Sequence, residues 1–144
     1  MKIALAADHG GFALKEKVKA WLEAEGADVL DLGTHSEEPV DYPVYGVKAA
    51  EAVVGGDAEK GIAFCGTGIG ISIAANKVRG ARCALCASET MARLAAAHNQ
   101  ANIIALGGRT TTFDEAKAYI EAWLDTPPDP AERHARRVRM LTEL

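Results

Sequence analysis

Residues 61–77 read GIAFCGTGIGISIAANK, and this stretch determines the predicted fold. The apolar run from Gly61 to Cys65 predicts a short buried strand, and residues 69–76 have the length and composition of a helix. The glycines between them predict a tight turn, because glycine accepts positive φ angles and leaves backbone N–H groups uncovered. A strand that passes into a helix through such a turn is the repeating unit of a parallel α/β sheet.

The rest of the chain continues this alternation of strands and helices. Apolar runs predict further strands over residues 2–7, 28–32, 81–86 and 103–106. Helical spacing and end signals predict helices over residues 12–25, 42–54, 88–97, 113–124 and 131–141. Asp41 and Ser88 are the expected N-caps of two of them, and Gly26 is the expected end of the first. The predicted class is α/β, a three-layer Rossmann-like (flavodoxin-like) sandwich with a five-stranded parallel sheet and a basic C-terminal helix.

Length and charge limit the possible functions. A chain of 144 residues with 49% hydrophobic and 25% charged residues predicts one globular domain over 1–144. The net charge of -4 gives no general attraction to nucleic acid or to an anionic membrane, so neither partner is expected. No apolar run approaches the roughly 20 residues of a membrane span, and the first apolar run is too short for a signal peptide. These features predict a cytoplasmic protein.

The three cysteines do not form an even disulfide framework, and a reducing compartment would keep them as thiols. Cys83 and Cys86 have the C-x-x-C spacing of redox and zinc sites. However, they lie in a predicted strand, where positions three apart point to opposite faces. No second cysteine or histidine pair completes a zinc site, so we interpret both as core residues and expect no metal.

Cys65 is the first candidate for chemistry. The uncovered N–H groups of the glycine turn and the positive end of the following helix favour an anion, and therefore a thiolate, at this position. The alternative is that Cys65 is a small core residue and that the glycines only make the turn. Ligands of parallel sheets bind beyond the carboxyl ends of the strands, where the turn and the segments Asp8-His9 and Gly107–Arg109 are expected to meet.

Other polar residues permit two interpretations each. Asp8 and His9 follow the first strand and suit sugar hydroxyls, although Asp8 is also a good helix cap. His98 and Asn99 end a helix, where histidine is often only a favourable dipole partner. Arg133 and Arg137 are four residues apart and share a helix face, which suits either a phosphate clamp or a solvated basic surface.

Taken together, the motifs resemble the RpiB/LacAB sugar-phosphate isomerase family over nearly the whole chain. The resemblance is carried by Asp8–Phe12, Asp41–Pro43, Cys65–Gly70 with Ala74–Lys77, His98-Asn99 with Ala101-Asn102, Gly107–Arg109, and the helix with Arg133 and Arg137. It implies an aldose-ketose isomerase that interconverts ribose 5-phosphate and ribulose 5-phosphate through a cis-enediolate. It also implies a small-molecule sugar phosphate as substrate and no cofactor.

The resemblance also implies residue roles. Cys65 would move the proton, assisted by the Thr67 hydroxyl, since Ile71 stands where some relatives use a glutamate base. His98 would assist ring opening. The backbone around the enediolate would come from Gly66, Gly68, Ile69 and Gly70. Sugar oxygens would contact Asp8, His9, Tyr42 and Asn99, and the phosphate would contact Arg109, Arg133, His134 and Arg137.

Family members are dimers or tetramers with shared active sites, so a homodimer or homotetramer is implied here, with His98 or the arginines reaching Cys65 across an interface. Two departures from the family pattern, Ala95-Ala96 in place of a Ser-Arg pair and the chain end at Leu144, affect substrate preference and tail contacts. Rival functions are isomerisation of allose 6-phosphate, galactose 6-phosphate or a tetrose phosphate, binding of a nucleotide or flavin, and non-catalytic sensing of a sugar phosphate. The nucleotide alternative lacks the G-x-G-x-x-G spacing after the first strand.

Overall fold

The computed structural model describes residues 1–144 and contains a five-stranded, entirely parallel sheet. The strands are β1 (Lys2–Ala7), β2 (Asp28–Asp31), β3 (Lys60–Cys65), β4 (Cys83–Leu85) and β5 (Ile103–Gly107). The helices are α1 (Phe12–Ala24), α2 (Tyr42–Val54), α3 (Ile69–Ala75), α4 (Glu89–Ala97), α5 (Phe113–Asp125) and α6 (Glu132–Glu143). The predicted α/β sandwich is confirmed.

The strand order is β2-β1-β3-β5-β4, so the last two strands are exchanged relative to the 2-1-3-4-5 order of flavodoxin. Helices α1, α4 and α5 cover one face of the sheet, where they enclose the largest apolar cluster around Phe64, Leu106 and Trp123. Helices α2 and α3 cover the other face, where Ile71 packs with Cys65. The exchange makes β4 an edge strand whose three residues are all half-buried.

The element boundaries differ from the prediction mainly at β4, which is three residues long instead of six. Cys86 packs into the cluster on one face and Cys83 against the cluster on the other, as the strand interpretation predicts. Burial raises the pKa of both thiols to about 12, so they remain protonated at neutral pH. The C-x-x-C segment is therefore structural.

The predicted helix ends are largely confirmed. Ser88 Oγ accepts a hydrogen bond from the Met91 N–H, as an N-cap should, and Gly26 has the positive φ of 89° typical of a residue that ends a helix. Asp41 precedes α2, but its side chain caps no N–H group, which corrects that part of the prediction. None of the helices is long and apolar enough to cross a membrane.

One buried ion pair holds α1 to the end of β2. The side chain of Lys15 is fully buried, and its Nζ donates to Asp31 Oδ1 at 2.7 Å and to Glu16 Oε1 at 2.9 Å. Burial alone would raise the pKa of Asp31, but hydrogen bonds from Lys15, the Gly33 N–H and Lys19 lower it to about 2. This carboxylate is therefore ionised throughout the neutral range.

Candidate active site

Three loops meet at the carboxyl ends of β1, β3 and β5, as the sequence predicts. The Asp8 N–H donates to the Phe64 carbonyl at 3.1 Å, which ties the loop after β1 to β3. The Gly108 N–H donates to the Cys65 carbonyl at 2.8 Å, and the Arg109 N–H donates to the Gly66 carbonyl at 2.9 Å. Backbone hydrogen bonds therefore fix the three loops against one another.

The Cys65 thiol lies at the centre of these loops. Its residue is 5% exposed, and Sγ accepts a hydrogen bond from the Gly68 N–H at 3.1 Å. Gly68 adopts a φ of 80°, which gives this N–H its direction toward sulfur and favours glycine at the position. Cys65 is thus part of the core cluster, and its sulfur also contacts an N–H group of the turn. Its role in catalysis stays a prediction.

The glycine turn offers further donors beside the thiol. The N–H groups of Gly66, Thr67, Gly70 and Ile71 donate to no acceptor within the chain. The Ile69 N–H, in contrast, donates to Thr67 Oγ1 at 3.2 Å, and the Gly68 N–H is used by sulfur. The predicted anion site used the N–H groups of Gly66–Gly70, but those of Gly68 and Ile69 already have acceptors. The free N–H group of Ile71 extends the site beyond Gly70. The Thr67 hydroxyl makes no hydrogen bond to Cys65.

Asp8 and His9 approach the turn from the loop after β1. Asp8 Oδ1 accepts a hydrogen bond from the Gly11 N–H at 3.1 Å, but Gly11 is itself the N-cap of α1 and no side chain caps this helix, so the capping interpretation of Asp8 is wrong. The other carboxylate oxygen of Asp8 makes no hydrogen bond within the chain. His9 Nδ1 accepts a hydrogen bond from the Val40 N–H at 3.1 Å. This contact assigns the proton of the neutral ring to Nε2, which makes Nε2 a donor.

Tyr42 and Arg109 also lie at the carboxyl ends of the strands, next to the glycine turn. A Cβ placed on Gly70 would lie 2.5 Å from the Tyr42 ring, and one placed on Gly66 would lie 3.1 Å from Arg109 Nη1. The ring and the guanidinium therefore lie directly over the glycine turn, and both side chains belong to exposed residues. Ile71, whose position carries a glutamate in some relatives, is fully buried beside Cys65.

The remaining candidates lie at the amino ends of the strands, the amino edge of the sheet, whereas Cys65 lies at the carboxyl ends, the carboxyl edge. Within one chain they therefore do not reach Cys65. In the sheet register, Cys65 pairs with Gly107 and Gly61 pairs with Ile103. The four steps from Ile103 to Gly107 span about 13 Å, and His98 precedes Ile103 by five residues. A helix that follows a parallel strand returns the chain to the amino ends of the strands. His98 and Asn99, at the end of α4, are therefore separated from the thiol.

The basic helix α6 lies at this amino edge too. The imidazole of His134 stacks on that of His98 with ring centroids 4.1 Å apart and planes 8° apart. Arg133 and Arg137 share the neighbouring helix face, are exposed and form no ion pair. Burial, followed by the positive charges of His98 and Arg133, lowers the pKa of His134.

Asp129 joins this group, although the sequence analysis did not identify it. Its Oδ2 lies 4.0 Å from His134 Nε2, and its N–H donates to the Ala97 carbonyl at the end of α4 at 2.9 Å. The hydrogen bond to Asp129 Oδ1 from the Ala131 N–H lowers the pKa of this carboxyl, with the nearby histidines acting in the same direction. The sequence signal for this residue is an aspartate between two prolines just before a basic helix, and it was not used.

Comparisons with known proteins agree with this architecture. A family model described as Ribose/Galactose Isomerase matches residues 3–141. The chain is 43% identical over 143 residues to ribose-5-phosphate isomerase B of Escherichia coli, covering 99% of this chain and 95% of the relative. A solved structure of ribose-5-phosphate isomerase B from Clostridium thermocellum superposes with a TM-score of 0.96 at 48% identity, covering 99% of this chain and 96% of the other. The corresponding structure from Thermotoga maritima gives 0.95 at 50% identity, covering 99% and 98%. The resemblance in the motifs is thus confirmed, and the chain belongs to the ribose/galactose isomerase family.

Proposed function

We propose that this protein is an aldose-ketose isomerase that interconverts ribose 5-phosphate and ribulose 5-phosphate. The observation that carries the proposal is the Cys65 thiol, held at 3.1 Å by the Gly68 N–H beside four N–H groups without an acceptor. A base next to an anion site is what proton transfer through an enediolate requires. The relatives named for this reaction match essentially the full chain.

The reaction on the open-chain sugar needs one base that works twice. The Cys65 thiolate removes the proton from C2 of the aldose, and the electron pair moves onto the C1 carbonyl oxygen to give a cis-enediolate. Free N–H groups of the turn, including those of Gly66 and Gly70, stabilise the oxyanion, because preorganised dipoles act strongly in a partly buried site. Within the cis-enediolate the hydroxyl proton of O2 passes to O1, so the negative charge moves to O2. Sulfur then returns the carbon-bound proton to C1, the C2 carbonyl forms, and the product is the ketose. Asp8, His9 and Tyr42 lie where they can bind the sugar hydroxyls.

At the carboxyl edge of one chain, the imidazole of His9 is assigned to the sugar hydroxyls, and only Arg109 is available for the phosphate. The amino edge holds His98 with Arg133, His134 and Arg137, but its thiol, Cys83, has a pKa raised to about 12 by burial. We therefore infer that the active site is shared, with the amino edge of one subunit placed against the Cys65 loop of another. Asn99 would reach the sugar from the same side as His98. His98 would act as the acid-base group that opens the ring, since imidazole changes charge near neutral pH.

Exposed apolar surface supports association with a second copy. Ile69 and Ile73 are each more than half exposed, and they lie on one face of α3 beside the thiol loop. At the other edge, a groove of about 540 Å³ runs between β4 and α6, where Leu141 and Leu144 are exposed. A closed two-fold dimer would pair the two edges twice and give two identical sites.

A phosphorylated hexose is the second candidate substrate, because the matched family includes galactose as well as ribose isomerases in its description. The proton transfer would be the same and only the room for an additional carbon would differ.

The decisive experiment measures kcat/KM for ribose 5-phosphate, allose 6-phosphate, galactose 6-phosphate and erythrose 4-phosphate with purified protein in buffer without added metal. We expect ribose 5-phosphate to have the highest value. A hexose phosphate with a higher value would reassign the substrate, and no turnover of any of the four would refute the proposal.

A further inference from the structure

A second cluster of polar side chains lies at the amino edge of the sheet. It consists of the imidazoles of His98 and His134 and the carboxylate of Asp129, whose ligand-type atoms all lie within 4.8 Å of one another. The three residues come from different elements, namely the end of α4, the connection before α6, and α6 itself. Hydrogen bonds of the Asp129 backbone to Ala97 and of its side chain to Ala131 hold the carboxylate in place.

The cluster contains a buried nitrogen without a partner. His134 is 8% exposed, and its Nε2 is inaccessible to solvent and makes no hydrogen bond. The nearest acidic atom, Asp129 Oδ2, is 4.0 Å away, which is beyond hydrogen-bond distance. Buried polar groups normally have a partner, so this nitrogen indicates a missing ligand.

We propose that His98, Asp129 and His134 form a binding site for a divalent transition-metal ion of the zinc class. Two imidazoles and one carboxylate are a common ligand set for zinc, and three protein ligands leave a fourth position open. Zinc-ligand bonds of about 2.1 Å place ligand atoms roughly 3.4 Å apart in a tetrahedral site, so the present spacing of up to 4.8 Å must contract by up to about 1.4 Å.

Binding of the ion also requires a change in the histidine stack. A metal lies in the plane of each imidazole that binds it, whereas the two rings are now parallel. His98 follows the last residue of α4 and is half-buried, so its ring can turn, while His134 lies inside α6 with its ring buried. We therefore expect metal binding to open the stack by rotation of His98. The ion would occupy the lone pair with which His98 acts as an acid-base group, so it would inhibit isomerisation. This consequence rests on the proposed function.

Zinc affinity is measured by competition with a chromophoric chelator on the full chain carrying Cys65→Ala, which removes the thiol as a competing ligand. Asp129→Asn removes the anionic ligand but keeps an oxygen for the Ala131 N–H, and we expect affinity to fall at least about tenfold. Asp125→Asn makes the same charge change at an exposed aspartate outside the cluster and should leave affinity unchanged. Equal affinities in the two variants would overturn the proposal, as would a parent protein that does not compete with the chelator.

The absorption spectrum of bound cobalt(II) is a second measurement, made on the protein with Cys65 intact. Binding at the cluster predicts cobalt d–d absorption without a thiolate charge-transfer band, and His134→Gln should abolish the signal. A thiolate band that His134→Gln does not remove would place the metal on Cys65 without the cluster and contradict the proposal. Neither measurement uses substrate, so failure here leaves the isomerase assignment standing. In the assay, zinc should inhibit the Asp129→Asn variant less than the unsubstituted protein; equal inhibition would refute the link between this site and activity.

Discussion

The two edges of the sheet are built in different ways. At the carboxyl edge, backbone hydrogen bonds fix the loops around Cys65, and the important donors are N–H groups of the glycine turn. At the amino edge, the chemistry lies in side chains: His98 stacks on His134, and Arg133 and Arg137 project from α6. The first edge suits a developing oxyanion, and the second suits a phosphate and an acid-base step. In the proposed function, these are the two complementary halves of a shared site.

The largest effect is expected from removing the thiol. Cys65→Ala should lower kcat by about a thousandfold or more, because the thiol is the base assigned to the proton transfer and is held against the N–H groups of the turn. The matched control is Cys83→Ala, which removes a thiol whose pKa is raised to about 12 by burial, and it should retain activity. Circular dichroism and thermal unfolding report whether both variants fold. Normal activity of Cys65→Ala would refute the assignment of the base.

Gly68→Ala tests whether the backbone of the turn carries the chemistry. The φ of 80° is strained for alanine, and its Cβ would lie 2.7 Å from Leu85 Cδ1. We expect a loss of about 1–3 kcal/mol in the free energy of unfolding and a large loss of kcat. Gly26→Ala has a similar φ of 89° with no atom within 4 Å, so it isolates the strain. Chemical denaturation and steady-state kinetics separate the two quantities, and equal kinetic losses would contradict this role of the turn.

At the amino edge, Arg137→Ala should mainly raise KM, by about tenfold, through loss of a phosphate contact. Arg136→Ala removes the same charge from a different face of α6 and serves as the control. Steady-state kinetics with ribose 5-phosphate give both constants. A fall in kcat without a change in KM would move Arg137 from phosphate binding to the chemical step.

Asp31→Asn should have the smallest effect on activity and a clear effect on stability. The fully buried Lys15 would lose its closest carboxylate, at a cost of about 3 kcal/mol in the free energy of unfolding. Asp28→Asn is the control, because its 4.0 Å contact to Lys2 is exposed and contributes little. Urea denaturation at pH 7 compares the two variants, and similar losses would show that the buried pair contributes nothing special.

The same carboxylate predicts a dependence of stability on pH. The pKa of Asp31 is about 2 in the folded protein and near 3.8 in the unfolded chain, so its ionised form stabilises the fold. This contribution is complete above about pH 4 and is lost as the pH falls through 2. The stability difference between the unsubstituted protein and Asp31→Asn should therefore shrink as the pH falls from 4 to 2. A constant difference over this range would contradict the assigned pKa.

The sequence predicted the carboxyl edge well because local signals determine it. The strand, the glycine turn and α3 are contiguous, so the position of Cys65 beside the N–H groups follows from neighbouring residues. The strand alternation also identified the opposite faces of Cys83 and Cys86. The short length of β4 was not predicted, because β4 is an edge strand and its end depends on contacts with β5 alone.

The sequence identified candidate residues of the amino edge but not where in the fold they lie. The positions of His98 and Arg137 along the chain indicate which helices carry them, but not at which end of the sheet these helices terminate. Asp129 lies beside the two histidines because a proline-containing connection crosses the end of α4. No periodic pattern in the sequence encodes the path of this connection. The family resemblance implied the proposed completion of the site by another copy. The surfaces that would meet depend on shape complementarity, which a single sequence does not encode.

The central claim is that the thiol and the ring-opening histidine act together from different subunits. Its most direct test combines Cys65→Ala and His98→Asn chains, each inactive alone, in heterodimers purified through two different tags. Each such dimer would contain one site with both residues intact, so a random mixture should recover about a quarter of the unsubstituted activity and the purified heterodimer about half. Activity no greater than that of the two parent variants would contradict the account and return both residues to sites within one chain.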